Sequence, residues 1–191
     1  MKDDWYQNNV SKSNLRGGGT NFKTRKFVKK KTTKVIFQRT FPTILMPLIF
    51  MSSFFLWAFT IGREPYLFTR IISLFPVIGL TSFGVFLYVK TNKLIVFDKK
   101  IGYYYKSIKK PNFRKKQKKN CTKLSNISGI QVLREYVVRQ KSTNYSSFEI
   151  NLVLKDGNRL NVIDHGDEYN VIQDAKKLAN FLNLPIWIHT S

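Results

Sequence analysis

The chain has one cysteine, Cys121, two histidines, His165 and His189, and only 11 acidic residues among 191. A lone cysteine excludes an internal disulfide and zinc sites built on paired cysteines, and it fits a reducing cytosolic face. With neither His nor a second Cys close to it in sequence, Cys121 is a poor candidate for a reactive thiol. Two isolated histidines leave no HExxH helix. The glycine run Gly17-Gly18-Gly19 lacks the GxxxxGK[ST] spacing of a phosphate loop, follows no strand, and reads as linker. The shortage of acid is the largest imbalance: 33 Lys and Arg against 11 Asp and Glu give a formal net charge of +22. A balance this basic implies a polyanionic partner, either nucleic acid or an anionic membrane face.

What is present decides between these. Phe41 to Ile61 is 21 residues without a charge, and Ile71 to Val89 is 19 more. At about 1.5 Å of rise per residue, each matches a hydrocarbon core of about 30 Å. A chain of 191 residues is too small to cover two such helices inside a soluble core. Pro42, Pro47 and Pro76 are tolerable in a packed hairpin, and Trp57, Tyr66 and Phe68 suit an interfacial aromatic belt. Basic residues crowd both flanks, Lys23 to Arg39 before the first run and Lys90 to Lys109 after the second. The turn between carries only Arg63 and Arg70, with Glu64 against them. By the positive-inside rule the expected location is the cytoplasmic (inner) membrane, multi-pass, with both termini cytoplasmic and the turn outside. No cleavable signal sequence is expected ahead of the hairpin.

The expected organisation has four parts. Residues 1–21 are polar and aperiodic and read as a disordered tail. Residues 22–40 read as a basic juxtamembrane segment, with Lys26, Lys29, Lys30, Lys31, Lys34 and Arg39 at the headgroups; the alternative is a short strand from Lys34 to Gln38. Residues 41–89 are the transmembrane hairpin, with helices at 41–61 and 71–89. Residues 92–189 form a cytosolic domain of short strands with period-2 patterning. Strands are expected at Leu94–Phe97, Ile101–Tyr105, Gly129–Arg139, Ser147–Lys155 and Arg159–Asp164, with a short edge element at Leu124–Ile127. Gln131, Glu135, Arg139, Glu149 and Asn151 are expected to face outward. Asp156-Gly157 predicts a hairpin turn with positive φ at both central residues. A helix from about Asp167 to Leu182 presents Val171, Ile172, Ala175, Leu178, Ala179 and Leu182 as one stripe, and Asn183 and Pro185 stop it. The fold class is thus a membrane protein with a two-helix hairpin plus an α+β domain of five to seven antiparallel strands and one C-terminal capping helix.

Three stretches carry a family resemblance: "LIVFDKKIG" directly after the membrane segment, "LSNISGIQV" before the long strand, and "FEINLVLKDGNRLNV" leading to "DAKKLANFLNLPIWI". Their order resembles the pleckstrin-homology-like domains of bacterial membrane proteins, over roughly Asn92 to Ile188. The resemblance implies a PH-like sheet capped by a helix, and no stretch is a catalytic signature. The layout is also similar to the photosystem I assembly protein family of chloroplasts and cyanobacteria, which has an N-terminal hairpin and "FDRKEG"-like residues where this chain has Phe97 to Gly102. The longer basic N-terminal segment and the lysine-rich loop depart from that family.

Lys109, Lys110, Arg114, Lys115, Lys116, Lys118 and Lys119 place seven positive charges in one inter-strand loop with no acid among them. Such a cluster can hold phosphorylated headgroups as point charges, or it can be a solvated loop that only aids topology. Tyr103-Tyr104-Tyr105 beside it suit a sheet, or base stacking. In "DHGDE", His165 with Asp164, Asp167 and Glu168 has the donor types of a metal or acid–base site. An ordinary strand-to-helix connection is preferred, since Gly166 makes the turn and acids suit a helix N-terminus. No catalytic or metal residue and no cofactor is therefore expected. The expected partners are membrane lipids and a protein in the membrane or at its cytosolic face, with nucleic acid the weaker rival. The expected function is that of a non-enzymatic adaptor or assembly/regulatory protein, with an accessory subunit of a membrane complex or a membrane-tethered nucleic-acid binder as the alternatives.

Overall fold

The structure, a computed structural model, describes residues 2–15, 17–61, 66–113, 120–138 and 143–190. In chain order its elements are α1 (Lys2–Asn9), β1 (Arg25–Lys31), β2 (Lys34–Arg39), α2 (Phe41–Ile61), α3 (Leu67–Thr91), β3 (Leu94–Asp98), β4 (Tyr103–Ser107), β5 (Cys121–Lys123), a 3-10 turn (Leu124–Asn126), β6 (Ile127–Val137), β7 (Tyr145–Leu154), β8 (Arg159–His165), α4 (Glu168–Leu182) and β9 (Ile186–His189). They divide into two compact units, one of Arg39–Lys93 and one of Met1–Gln38 with Leu94–Ser191.

The first unit is the pair α2 and α3, each long and apolar enough to cross a membrane. Hydroxyls that would otherwise be stranded on these helices donate to carbonyls of the preceding turn, as Ser52 does to Ile49 and Ser73 to Arg70. Between the helices the Trp57 indole N–H donates to Ser73 Oγ at 2.8 Å, and Phe50 meets Phe83 edge-on with centroids 5.1 Å apart. Gly84 lets the helices approach, since a Cβ there would lie 2.9 Å from Met51 and Phe50. α3 begins four residues before the expected start and ends two after the expected end. Arg70 and Lys90 lie outside the uncharged window, yet neither interrupts helical hydrogen bonding.

The second unit contains two sheets, in strand orders β1-β2-β3-β4-β5 and β8-β7-β6-β9. Their facing sides make the core: Val35, Phe37, Ile95, Phe97 and Tyr104 from one sheet meet Ile130, Val132, Ile150, Leu152 and Val162 from the other. α4 adds Val171, Ala175 and Leu178, all fully buried. Each buried Val or Leu contributes about 1.5–3 kcal/mol, so the stripe alone justifies the helix. Asp167 caps α4 by accepting from Asn170 N–H, and Asn183 closes it in the left-handed region at φ 58°. The strands are largely antiparallel, but β9 pairs parallel with β6, from Ile130↔Ile186 to Leu133↔His189. This strand was not expected. Four residues after a proline carry too little pattern to announce one, and the α4 crossover makes the parallel pairing possible.

Two expectations are corrected by this unit. The 22–40 segment is not a free juxtamembrane arm: β1 and β2 extend the first sheet, and Val35 and Phe37 enter its core opposite Phe97 and Ile95. Asp174, buried on α4, accepts the Phe27 N–H at 3.0 Å and thereby docks β1. The described residues 2–15 and 17–21 do not form a disordered tail either. α1 and the segment after it form a strap over the outer face of β6, β7 and β9. Tyr6, fully buried, stacks on Trp187 with centroids 4.1 Å apart, and the Trp187 indole N–H donates to Asp3. Backbone N–H groups of Leu15, Gly18, Gly19 and Thr20 donate to Glu149, Glu135 and Ser147.

The strap reverses the expected facing of two strands. Gln131, Glu149 and Asn151 do alternate away from the core, but the strap buries them. Burial pushes the Glu149 carboxyl above its ordinary range, although the Leu15 N–H bond works the other way. The β7–β8 turn also differs from expectation. Gly157 N–H donates to Leu154 O and only Gly157 has positive φ, 79°, so the loop is a turn followed by a left-handed glycine.

Candidate basic site on the five-stranded sheet

The register of the first sheet sorts its lysines between two ends. Lys34 pairs with Asp98 and Asp98 with Tyr103, whereas Leu94 pairs with Ser107. Four steps of about 3.4 Å separate the Asp98 end of β3 from the Leu94 end. At the Leu94 end the chain leaves β2 for α2 and returns from α3, with Thr40 on one side and Asn92 and Lys93 on the other. The lysine-rich loop starts from that same end, since it follows Ser107.

Lys109 and Lys110 are both exposed there. The Ser107 hydroxyl donates to Lys109 O, and Lys106 N–H donates to Asn120 O, so the two ends of the loop are tied. Arg114, Lys115, Lys116, Lys118 and Lys119 lie outside the described residues. Phe113 folds back over the outer face of the sheet, stacking on Tyr103 at 4.5 Å and meeting Tyr105 at 5.9 Å. Tyr104 is in the core. The three tyrosines are thus engaged inside the unit, and their rings are not an open stacking platform. Lys106 points the other way from its loop neighbours and donates to Val162 O at 2.7 Å, joining β4 to β8.

The remaining expected basic residues do not form one patch. Lys26, Lys29, Lys30 and Lys31 are exposed along β1, the edge of the sheet, where lysines also oppose edge-to-edge pairing. Lys34 is 4.0 Å from Asp98, across the β2–β3 pair. Arg39 lies over the Tyr88 ring, 5.6 Å from its centroid.

A group absent from the expected set gathers at the Asp98 end. Lys99 N–H donates to Thr33 O at 2.8 Å, which sets the β3–β4 turn beside the β1–β2 turn. Lys123 comes to the same end because it pairs with Tyr103. Asp98 spends its carboxylate on the Lys100 and Ile101 N–H groups, forming the turn that presents Lys99 and Lys100. "DKK" signals that turn in the sequence. The approach of Lys123 is a matter of register and has no local signal.

The "DHGDE" cluster disperses. His165 is fully buried at the end of β8, and its Nδ1 accepts the Asp167 N–H at 2.9 Å. Burial, with Lys23 nearby, lowers its pKa and keeps the ring neutral. Asp167 caps α4 and Glu168 is exposed. Among the described residues no three His, Cys, Asp or Glu side chains converge as metal ligands would. Burial raises the Cys121 thiol pKa, the opposite of an activated cysteine. No protein-family model matches the chain, and no curated protein matches it.

Proposed function

We propose that the chain is a non-enzymatic membrane-anchored adaptor: α2 and α3 cross the cytoplasmic membrane as a hairpin, and a PH-like module holds anionic lipid headgroups at the cytosolic face. Two observations support the membrane part. The most apolar 18-residue window of each helix has a mean hydropathy of 2.0, yet only 6% and 11% of those windows are buried. Phe55, Phe59, Phe68 and Phe75 are each about two-thirds or more exposed, a surface that water would not tolerate and lipid would.

The headgroup reading is carried by register. In its support, Ser107, two residues before Lys109, pairs with Leu94, the first residue of the strand that follows α3 in the chain. Each basic residue near an anionic surface contributes about 1 kcal/mol, so seven act collectively without a fixed phosphate fork.

The test uses the full chain in nanodiscs. Lys109 and Lys110 should lose reactivity toward a water-soluble acylating reagent when anionic lipid replaces zwitterionic lipid. They should regain it as salt shortens the screening length from ~10 Å at 0.1 M to ~3 Å at 1 M. Changing Lys115, Lys116, Lys118 and Lys119 to Glu should remove the protection. Equal reactivity in both lipids counts against headgroup binding and for a protein partner. An accessory subunit of a larger complex is the second reading. Gly79 favours it: a Cβ there would meet nothing within 4 Å, whereas Gly84 is used within the hairpin.

A further inference from the structure

Two cavities adjoin in the sheet unit, of about 600 Å³ and about 520 Å³, and they share Leu124, Ser125 and Leu184. Each has the size of a small-molecule site. Their chemistry differs. The first is walled by Lys99, Tyr103 and Lys123, where the β3–β4 turn, β5 and the end of α4 meet. The second is walled mainly by Trp5, Ile127, Leu184 and Trp187, with Lys155 and Ser128 at its edge, where the strap lies against β6 and β9. Among the described residues no acidic residue lines either one.

We infer that the paired cavities bind a single-chain phosphate monoester, its phosphate between Lys99 and Lys123 and its alkyl chain running past Leu124 and Leu184 to Trp5 and Trp187. The cationic end is prepared for an anion. Lys99 is held over the Phe181 ring, 4.6 Å from its centroid. Asp98, the neighbouring acid, accepts the N–H groups of Lys100 and Ile101 on Oδ1 and faces Lys34 with Oδ2. Two of the last α4 carbonyls, those of Ala179 and Asn180, accept the N–H groups of Asn183 and Leu184, which reduces their repulsion of an anion. At the apolar end Trp187 is fixed between Tyr6 and Asp3. The strap therefore acts as a wall of the site as well as a cover for the sheet. A free phosphate would use only the first cavity and a neutral amphiphile only the second; the ligand that uses both is charged at one end and apolar along the rest.

The experiment uses the full chain in zwitterionic nanodiscs and a dodecyl phosphate carrying a diazirine at its last carbon. After photolysis, label should appear on peptides containing Trp5, Ile127 or Trp187, and unlabelled dodecyl phosphate should compete. Dodecyl maltoside and inorganic phosphate, each able to fill only one cavity, should compete far more weakly. Among shorter alkyl phosphates, competition should fall about three- to fourfold per methylene removed. Lys99→Ala with Lys123→Ala should cut this labelling at least tenfold. Ser125→Trp, at an exposed position shared by both cavities, should block it with an unchanged melting temperature. Label confined to α2 and α3, equal competition by dodecyl maltoside, or labelling indifferent to these changes would overturn the assignment. The site is independent of the lysine-rich loop, so the four Lys→Glu changes above should leave it intact.

Discussion

His165 and Leu178 show how single side chains serve the fold. The folded-state pKa of His165 lies below its ordinary value of about 6.5 because burial disfavours the charged ring. A depressed folded pKa contributes stability that is present above the unfolded value and lost as pH falls through the folded one. The melting temperature of the sheet unit should therefore fall as pH drops below about 6.5, and His165→Phe should flatten part of that slope. His189, also lowered by burial, contributes in the same direction, while Glu149, raised by burial, opposes it. The difference between wild type and His165→Phe isolates the one ring, and an identical slope in both would refute the assignment. Leu178 is fully buried on α4, one turn after Asp174. Leu178→Asp should cost several kcal/mol by burying an unpaired charge near a second carboxylate, and circular dichroism should show the cooperative melt of the sheets lost.

Among the elements, the strap has the least intrinsic reason to be ordered. α1 has eight residues, too few for a stable isolated helix. Its order comes from the Tyr6–Trp187 stack and from carboxylates and hydroxyls on β6 and β7 that accept its backbone N–H groups. Tyr6→Ala should cost about 3 kcal/mol, as other buried aromatic truncations do, and the loss should be local. Amide exchange at residues 3–20 should accelerate, and trypsin should cut at Lys12, while α4 and β3 keep their protection. Uniform acceleration across both sheets would mean that the strap and the sheets unfold as one cooperative unit.

For the whole molecule the decisive question is orientation. Thr69 lies in the first turn of α3 and Thr32 in the β1–β2 turn, and both are exposed. In a Cys121→Ser background, an impermeant maleimide on intact cells should label Thr69→Cys and spare Thr32→Cys. Labelling of residue 32 with protection of residue 69 would reverse the proposed topology and remove the loop from the anionic cytosolic leaflet.

The amino-acid sequence by itself determined the elements whose signal is local. An uncharged run of 21 residues makes α2 without further help. Alternation over Phe148, Ile150, Leu152 and Leu154 makes β7, and an apolar stripe between Asp167 and Asn183 makes α4, because side-chain periodicity and caps act over a few residues. Tertiary structure decided whatever depends on partners distant in the chain. The Gly18 N–H finds Glu135, 117 residues away, so the apparent tail is a strap and the apparently outward Gln131 and Glu149 are buried. β1 and β2 look like a basic arm until β3 and α4 offer Val35, Phe37 and Phe27 a core. The basic site divides in the same way. Lys109 and Lys110 are legible as a charge run, but the convergence of Lys99 and Lys123 exists only once Tyr103 pairs with Lys123, because register is settled between strands and not within one.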